Sequence, residues 1–81
     1  MNKAVNSKNI SGRRIAEGRS LLQPPLTQDA LSGQMARVGI QLDRAAIAKI
    51  ETNCRSVLDY EIKAFAEVLG VKIEWLLGDT L

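Results

Sequence analysis

Helix-stop signals cut this chain into pieces too short for anything but a cluster of small helices. The Pro24-Pro25 pair pushes the residue before it out of the helical region, and Gly39 and Gly70 each follow an apolar stripe where a left-handed residue can end a helix. Between the stops, apolar residues recur at helical spacing: Ile15, Gly18 and Leu22; Leu31, Met35 and Val38; Ile47 and Ile50; Ile62, Phe65, Ala66 and Leu69. This punctuation predicts helices over about Ser11 to Leu22, Gln28 to Val38, Arg44 to Thr52, Tyr60 to Leu69 and Ile73 to Leu77, with a loop at 53–58. Thr27, Asp43 and Asp59 precede three of the stripes and are the expected N-caps, each offering a side-chain oxygen to free first-turn amides. Gly18 costs its helix about 1 kcal/mol against alanine unless the missing side chain permits close packing. Residues 1–9 are polar and uncapped and are expected to be a flexible arm ahead of one domain, residues 10–81.

With 81 residues, 46% of them apolar and only 4% aromatic, the chain has material for a single small core of Ile, Leu, Val and Ala. A large enzyme pocket does not fit that size. No apolar run is long enough to cross a bilayer, and the first ten residues lack the apolar segment of a signal peptide, so a cytoplasmic location is expected. Cys54 is the one cysteine and histidine is absent, which excludes an internal disulfide and the common zinc ligand sets. No metal and no cofactor is expected. Cys54 has no histidine to activate it, so it reads as a structural, partly buried thiol, and an enzyme is the least expected class.

Charge is unevenly placed. Residues 1–55 hold nine Lys and Arg against Glu17, Asp29, Asp43 and Glu51, leaving +5, whereas residues 56–81 hold Lys63 and Lys72 against five acids, leaving −3. A polyanion-binding face with a solvated opposite end produces such a split, and so does an ordinary mixed surface.

The segments LTQDAL, AAIAKIE, RSVLDYEIKAFAEVLGV and IEWLL, in that order, resemble the Cro and phage-repressor type of helix-turn-helix domain, the XRE family. The resemblance runs from about Gly12 to Gly78 and implies an all-α, compact five-helix lambda-repressor-like bundle containing a helix-turn-helix. The chain departs from the family pattern in a longer link from Arg19 to Thr27 and in extra residues between Gln28 and Ile47, around ARVGIQLD. Both lie in loops or helix ends, and the second bears on the angle between the second and third helices.

In such domains the third helix lies in the major groove with its first turn against base edges, while the second crosses the backbone. Carried onto this sequence, Arg44 reaches a guanine edge or a phosphate, and Ala45 and Ala48 allow close approach and touch thymine methyls. Lys49 is a second base or phosphate contact on the same stripe. Gln28 resembles the family's phosphate-contacting and helix-bracing glutamine, Thr27 sits at a helix start that favours a phosphate oxygen, and Asn53 and Arg55 resemble loop positions that grip the adjoining backbone. The plainer alternatives are that Arg44 and Lys49 only solubilise a face, that Thr27 and Gln28 only start a helix, and that Arg55 is a loop charge.

The resemblance also assigns Glu51 to an inward ion pair with Arg19. Ile73, Trp75 and Leu76 are candidates for a dimer surface, with Trp75 as core filler the alternative. The function so implied is sequence-specific binding of double-stranded DNA, at a palindromic operator and as a homodimer, by a small prophage-type repressor. Alternatives are an antitoxin or restriction-modification controller repressing its own operon, and a protein-interaction module on the same fold.

Overall fold

Most helix ends in this chain fall where a polar cap or a left-handed residue is available. The computed structural model describes residues 9–78. It consists of α1 (Gly12–Leu21), α2 (Gln28–Arg37), α3 (Arg44–Glu51), α4 (Asp59–Leu69) and α5 (Ile73–Leu76), with no strand among the described residues. Thr27 Oγ1 accepts from the Ala30 amide at 3.0 Å and Asp43 Oδ1 from the Ala46 amide at 2.8 Å, as the sequence predicts.

Asp59 is not a cap. It is the first residue of α4, and the N-cap is Leu58, whose side chain has no oxygen to offer. Glu61 supplies the carboxylate instead, reaching back to accept from the Leu58 amide at 2.9 Å.

Three helices close in the same way at their C-terminal ends. Gly39, Asn53 and Gly70 have φ of 88°, 63° and 69°, and at each the residue's own amide and the next one fold back on the last turn. The pairs are Gly39 to Ala36 with Ile40 to Met35, Asn53 to Ile50 with Cys54 to Lys49, and Gly70 to Glu67 with Val71 to Ala66. The two glycines are legible from sequence; Asn53 plays the same part because asparagine tolerates the left-handed region better than other side chains with a Cβ.

Asn9, the last residue of the expected arm, is buried. Asn9 is 5% exposed, its Oδ1 accepting from the Gly12 amide at 2.9 Å and its Nδ2 donating to the carbonyls of Ile50 at 2.9 Å and Arg55 at 2.8 Å. Asn9 therefore belongs to the packed domain; the rest of the expected arm, 1–8, and residues 79–81 of the expected domain lie outside the described residues. Beside Asn9, a Cβ on Gly12 would collide with the Ile50 carbonyl and Asn53 Oδ1, so the start of α1 approaches the end of α3 only as glycine.

The core is drawn from every helix. Ile15, Leu31, Met35, Ile47, Ile50, Phe65 and Leu76 are fully enclosed, with Leu42, Ala64, Ala66 and Leu69 around them. α1 packs on α3, α4 and α5, and α2 packs on α3 and α4. Gly18 lies against α4 and α5, where a Cβ would stand 3.3 Å from Trp75 and 3.4 Å from Leu69, so its helix cost is offset by close approach. Val38, expected in the α2 stripe, is exposed, because α2 ends at Arg37 and Ile40 and Leu42 of the following connection take the inward positions.

Candidate nucleic-acid interface

The outward face of α3 is set by which of its residues the core consumes. Ile47 and Ile50 are buried and Ala46 packs beside them, which turns Arg44, Ala45 and Lys49 to solvent and leaves Ala48 half-buried. The cap on Asp43 holds Arg44 and Ala45 in the first turn, where amides point outward.

The connection 38–43 fixes where α3 starts. Its extra length is taken up by the left-handed turn at Gly39, by the burial of Leu42 and by a 2.6 Å hydrogen bond that Ser32 Oγ donates to the Leu42 carbonyl. Ser32 was not legible as a site residue, since a serine inside a helix gives no signal of a partner ten residues away.

Behind the face, Glu51 joins three elements. Arg19 donates through Nε to Oε2 at 2.9 Å and through Nη2 to Oε1 at 3.0 Å, and Gln28 Nε2 donates to Oε1 at 2.9 Å. Arg19 also donates through Nη1 to the Leu26 carbonyl at 2.9 Å, tying in the loop that follows α1. The side chains are 19% exposed for Arg19 and 6% for Glu51, and the hydrogen bond to Glu51 raises the Arg19 guanidinium above its ordinary pKa against the effect of burial. This geometry matches the inward pair expected of Arg19 and Glu51, and it gives Gln28 the bracing half of its expected role.

Of the residues expected to contact DNA, the fold brings Gln28, Arg44, Ala45 and Ala48 together around one shallow depression, with Asp43 also on its wall. Thr27 adjoins Gln28 at the start of α2, and Lys49 lies one turn along α3. Asp43 and Asp29 place two carboxylates near that helix start, so the positive potential rests on Arg44, Lys49 and the α2 and α3 amides.

Asn53 and Arg55 depart from the expected backbone grip. Asn53 forms the left-handed end of α3, and its Oδ1 is turned inward, buried and without a hydrogen-bond partner. Arg55 donates through Nη1 to Glu61 Oε1 at 3.0 Å and to the Ser56 carbonyl at 2.8 Å, and through Nη2 to Glu61 Oε2 at 3.1 Å. Its charge is thus matched within the chain, because the carboxylate that starts α4 lies within reach. Burial pushes the Glu61 carboxyl up, but hydrogen bonds from Arg55 and the Leu58 amide, with the Arg55 charge, bring its pKa below the ordinary value. Glu61 joins the start of α4 to the preceding loop, and its signal in the sequence is a glutamate three residues after the N-cap position, Leu58.

Cys54 is exposed, not partly buried as expected, because the left-handed turn at Asn53 carries it outward; its Sγ lies 3.4 Å from Thr52 Oγ1. Of the expected dimer surface, Leu76 is fully enclosed in the core and presents nothing to a partner, since α5 spans four residues and spends that one inward. Trp75 is half-buried with the Arg14 guanidinium 4.6 Å from its ring centre, and Ile73 lies at the surface. Among the described residues no helix is long and apolar enough to cross a membrane, and no group of three or more His, Cys, Asp or Glu side chains could hold a metal ion. Compared with family models, curated proteins and solved structures, the chain matches none.

Proposed function

We propose that this chain binds double-stranded DNA as a small regulator of the Cro and phage-repressor helix-turn-helix type, with α3 entering the major groove. The observation that carries the reading is the division of α3: Ile47 and Ile50 spend its inner side on the core, while Arg44, Ala45, Ala48 and Lys49 form an outer side beside the braced start of α2. A helix held this way has a fixed exit for Arg44. Two small residues behind it leave room for base edges, and their methyls offer the apolar contact that distinguishes thymine.

Positioning is the work of Glu51. Because it joins Arg19, Gln28 and α3, the start of α2 is tied to the end of α3, and a phosphate at the α2 start would set the register of α3. A readout that depends on hydrogen-bond geometry needs that rigidity. Repression would follow where the bound site overlaps one that the polymerase needs.

The test is equilibrium binding to random duplex and to a site selected from a random pool, across a salt series. DNA binding predicts affinity for random duplex that falls with salt at a log–log slope of about −0.9 per neutralised phosphate. Arg44→Ala should cost about 1–3 kcal/mol on the selected site and relax preference at one base pair. A chain that selects no sequence and shows no salt slope would instead support a protein-interaction role for the α3 face, a reading favoured by Asp43 on the wall of the depression.

A further inference from the structure

The wall of the depression beside α3 carries a carboxylate that capping uses only in part. Asp43 Oδ1 accepts from the Ala46 amide at 2.8 Å, while Oδ2 has no hydrogen bond or ion pair among the described residues. The side chain is exposed and shares its concave surface with Gln28, Arg44, Ala45 and Ala48. It is held from both sides. Ahead of it, Leu42 is buried and its carbonyl accepts from Ser32 Oγ at 2.6 Å; behind it, the cap fixes the carboxylate against the first turn of α3. Arg44, next in the chain, is exposed and has no acidic partner among the described residues.

An oriented, unpaired carboxylate oxygen is a poor partner for phosphate and a selective one for bases. An ionised carboxylate only accepts hydrogen bonds. Most of what DNA presents also accepts: phosphate oxygens, purine N7, guanine O6 and thymine O4. The donors in the major groove are the amino groups, cytosine N4 and adenine N6. On an A·T pair, N6 lies between adenine N7 and thymine O4, so a carboxylate there meets an acceptor on either side. On a C·G pair, N4 has the cytosine C5–H on one side and guanine O6 on the other, and a guanidinium is the group that binds guanine O6 and N7. Acceptor and donor side by side in the chain, Asp43 and Arg44, thus match donor and acceptors side by side on one base pair.

Resting on the DNA reading proposed above, we infer that Asp43 is a specificity-determining residue that accepts from cytosine N4, with Arg44 donating to the guanine of the same pair. The DNA that this chain selects then carries a C·G pair at the position facing the start of α3. The carboxylate acts in two ways. At cytosine it gains a charge-assisted hydrogen bond. At a base edge that presents an acceptor it is desolvated and repelled, so it discriminates chiefly by penalising wrong sites. A negative charge on a surface proposed to meet a polyanion thereby has a use.

Capping and reading are separable, because serine and asparagine cap helices about as well as aspartate does. Asp43→Ser spends its one oxygen on the Ala46 amide and leaves neither charge nor second oxygen. Asp43→Asn spends its carbonyl oxygen on the same amide and turns its NH2, a donor, to where Oδ2 stands. Sites are selected from a random duplex pool with wild type and both variants, and affinities for the selected site and its single-pair substitutions are measured at fixed salt. Thermal unfolding checks that both variants are folded as wild type is. Wild type should select cytosine at one position and lose about tenfold or more in affinity when that pair is replaced. Asp43→Ser should lose that preference alone and bind random duplex more tightly than wild type. Asp43→Asn should prefer guanine or thymine there, the bases with an acceptor at that edge. An Asp43→Ser variant that keeps the wild-type preference at every position overturns the inference and leaves the proposed function standing, and so does an Asp43-sensitive position at which wild type selects a base other than cytosine. A wild type that selects no sequence and shows no salt slope overturns both.

Discussion

Replacing Glu51 by alanine tests how the proposed reading helix is held. The substitution leaves Arg19 Nε and Nη2 and Gln28 Nε2 without their acceptor at once. Breaking one side of a buried ion pair costs about 3–5 kcal/mol. Arg19 is 19% exposed and keeps its bond to the Leu26 carbonyl, so water and backbone recover part of that, and we expect about 2–3 kcal/mol. For a domain of this size such a loss lowers Tm by about 10–20 °C. Arg19→Ala should cost more, because the carboxylate it strands is 6% exposed and is left with Gln28 alone. The assay is thermal and urea unfolding followed by circular dichroism for both single variants and for Arg19→Ala/Glu51→Ala. The pair of apolar replacements should be less destabilised than the sum of the singles, since neither charge is then left alone. A Glu51→Ala variant within about 0.5 kcal/mol of wild type, or strict additivity in the double, would refute the reasoning.

Asn53→Gly should be neutral or stabilising in urea unfolding and leave DNA affinity unchanged, because the position asks only for a left-handed residue and the present side chain buries an unpaired oxygen; a drop in DNA affinity would return Asn53 to the backbone-gripping role. Glu61 has a folded-state pKa below its ordinary 4.5, so its contribution is present above that value and is lost as pH falls through the folded-state value. Stability measured by urea unfolding should therefore decline on the acid side, and Glu61→Gln should be less stable at neutral pH with a flatter acid limb. Asp43→Ala removes the α3 cap and should cost about 1 kcal/mol in stability, with α3 the first helix to lose amide-exchange protection.

Legibility followed the range of the interaction. Stops at Gly39 and Gly70 and caps at Thr27 and Asp43 are local events within a few residues, and the sequence displays them as residue types at fixed offsets. The α4 cap lies one residue before Asp59, at Leu58, because Glu61, three residues after Leu58, reaches back to its amide, and a leucine at the cap position gives no sign of this in the sequence. Asn9 lies beyond local reading, as its partners Ile50 and Arg55 are more than forty residues away. Asn53 and Arg55 were given to DNA because a loop after a reading helix resembles a backbone grip; the left-handed turn and the nearby Glu61 use both within the fold.

Those corrections bear on how the charge split should be understood. The excess of nine cations over four acids in residues 1–55 reads as one basic face, yet Arg19 and Arg55 are matched by carboxylates and Arg14 lies on Trp75. Near the proposed reading surface that leaves, among the described residues, chiefly Arg44 and Lys49, with Asp43 and Asp29 working against them. Each phosphate neutralised contributes to affinity through released counterions, so one copy with two cations at the groove is a weak binder. Two copies double the phosphate contacts and share the entropic cost of docking, which makes affinity for a two-fold site far higher than for either half. The scarcity of free cations on α3 thus makes a two-copy complex the arrangement in which the proposed DNA binding would be tight. If two copies act together on DNA, affinity for a full two-fold site should exceed that for an isolated half-site by far more than twofold in a titration at fixed salt, and equal affinity for both would refute the two-copy argument.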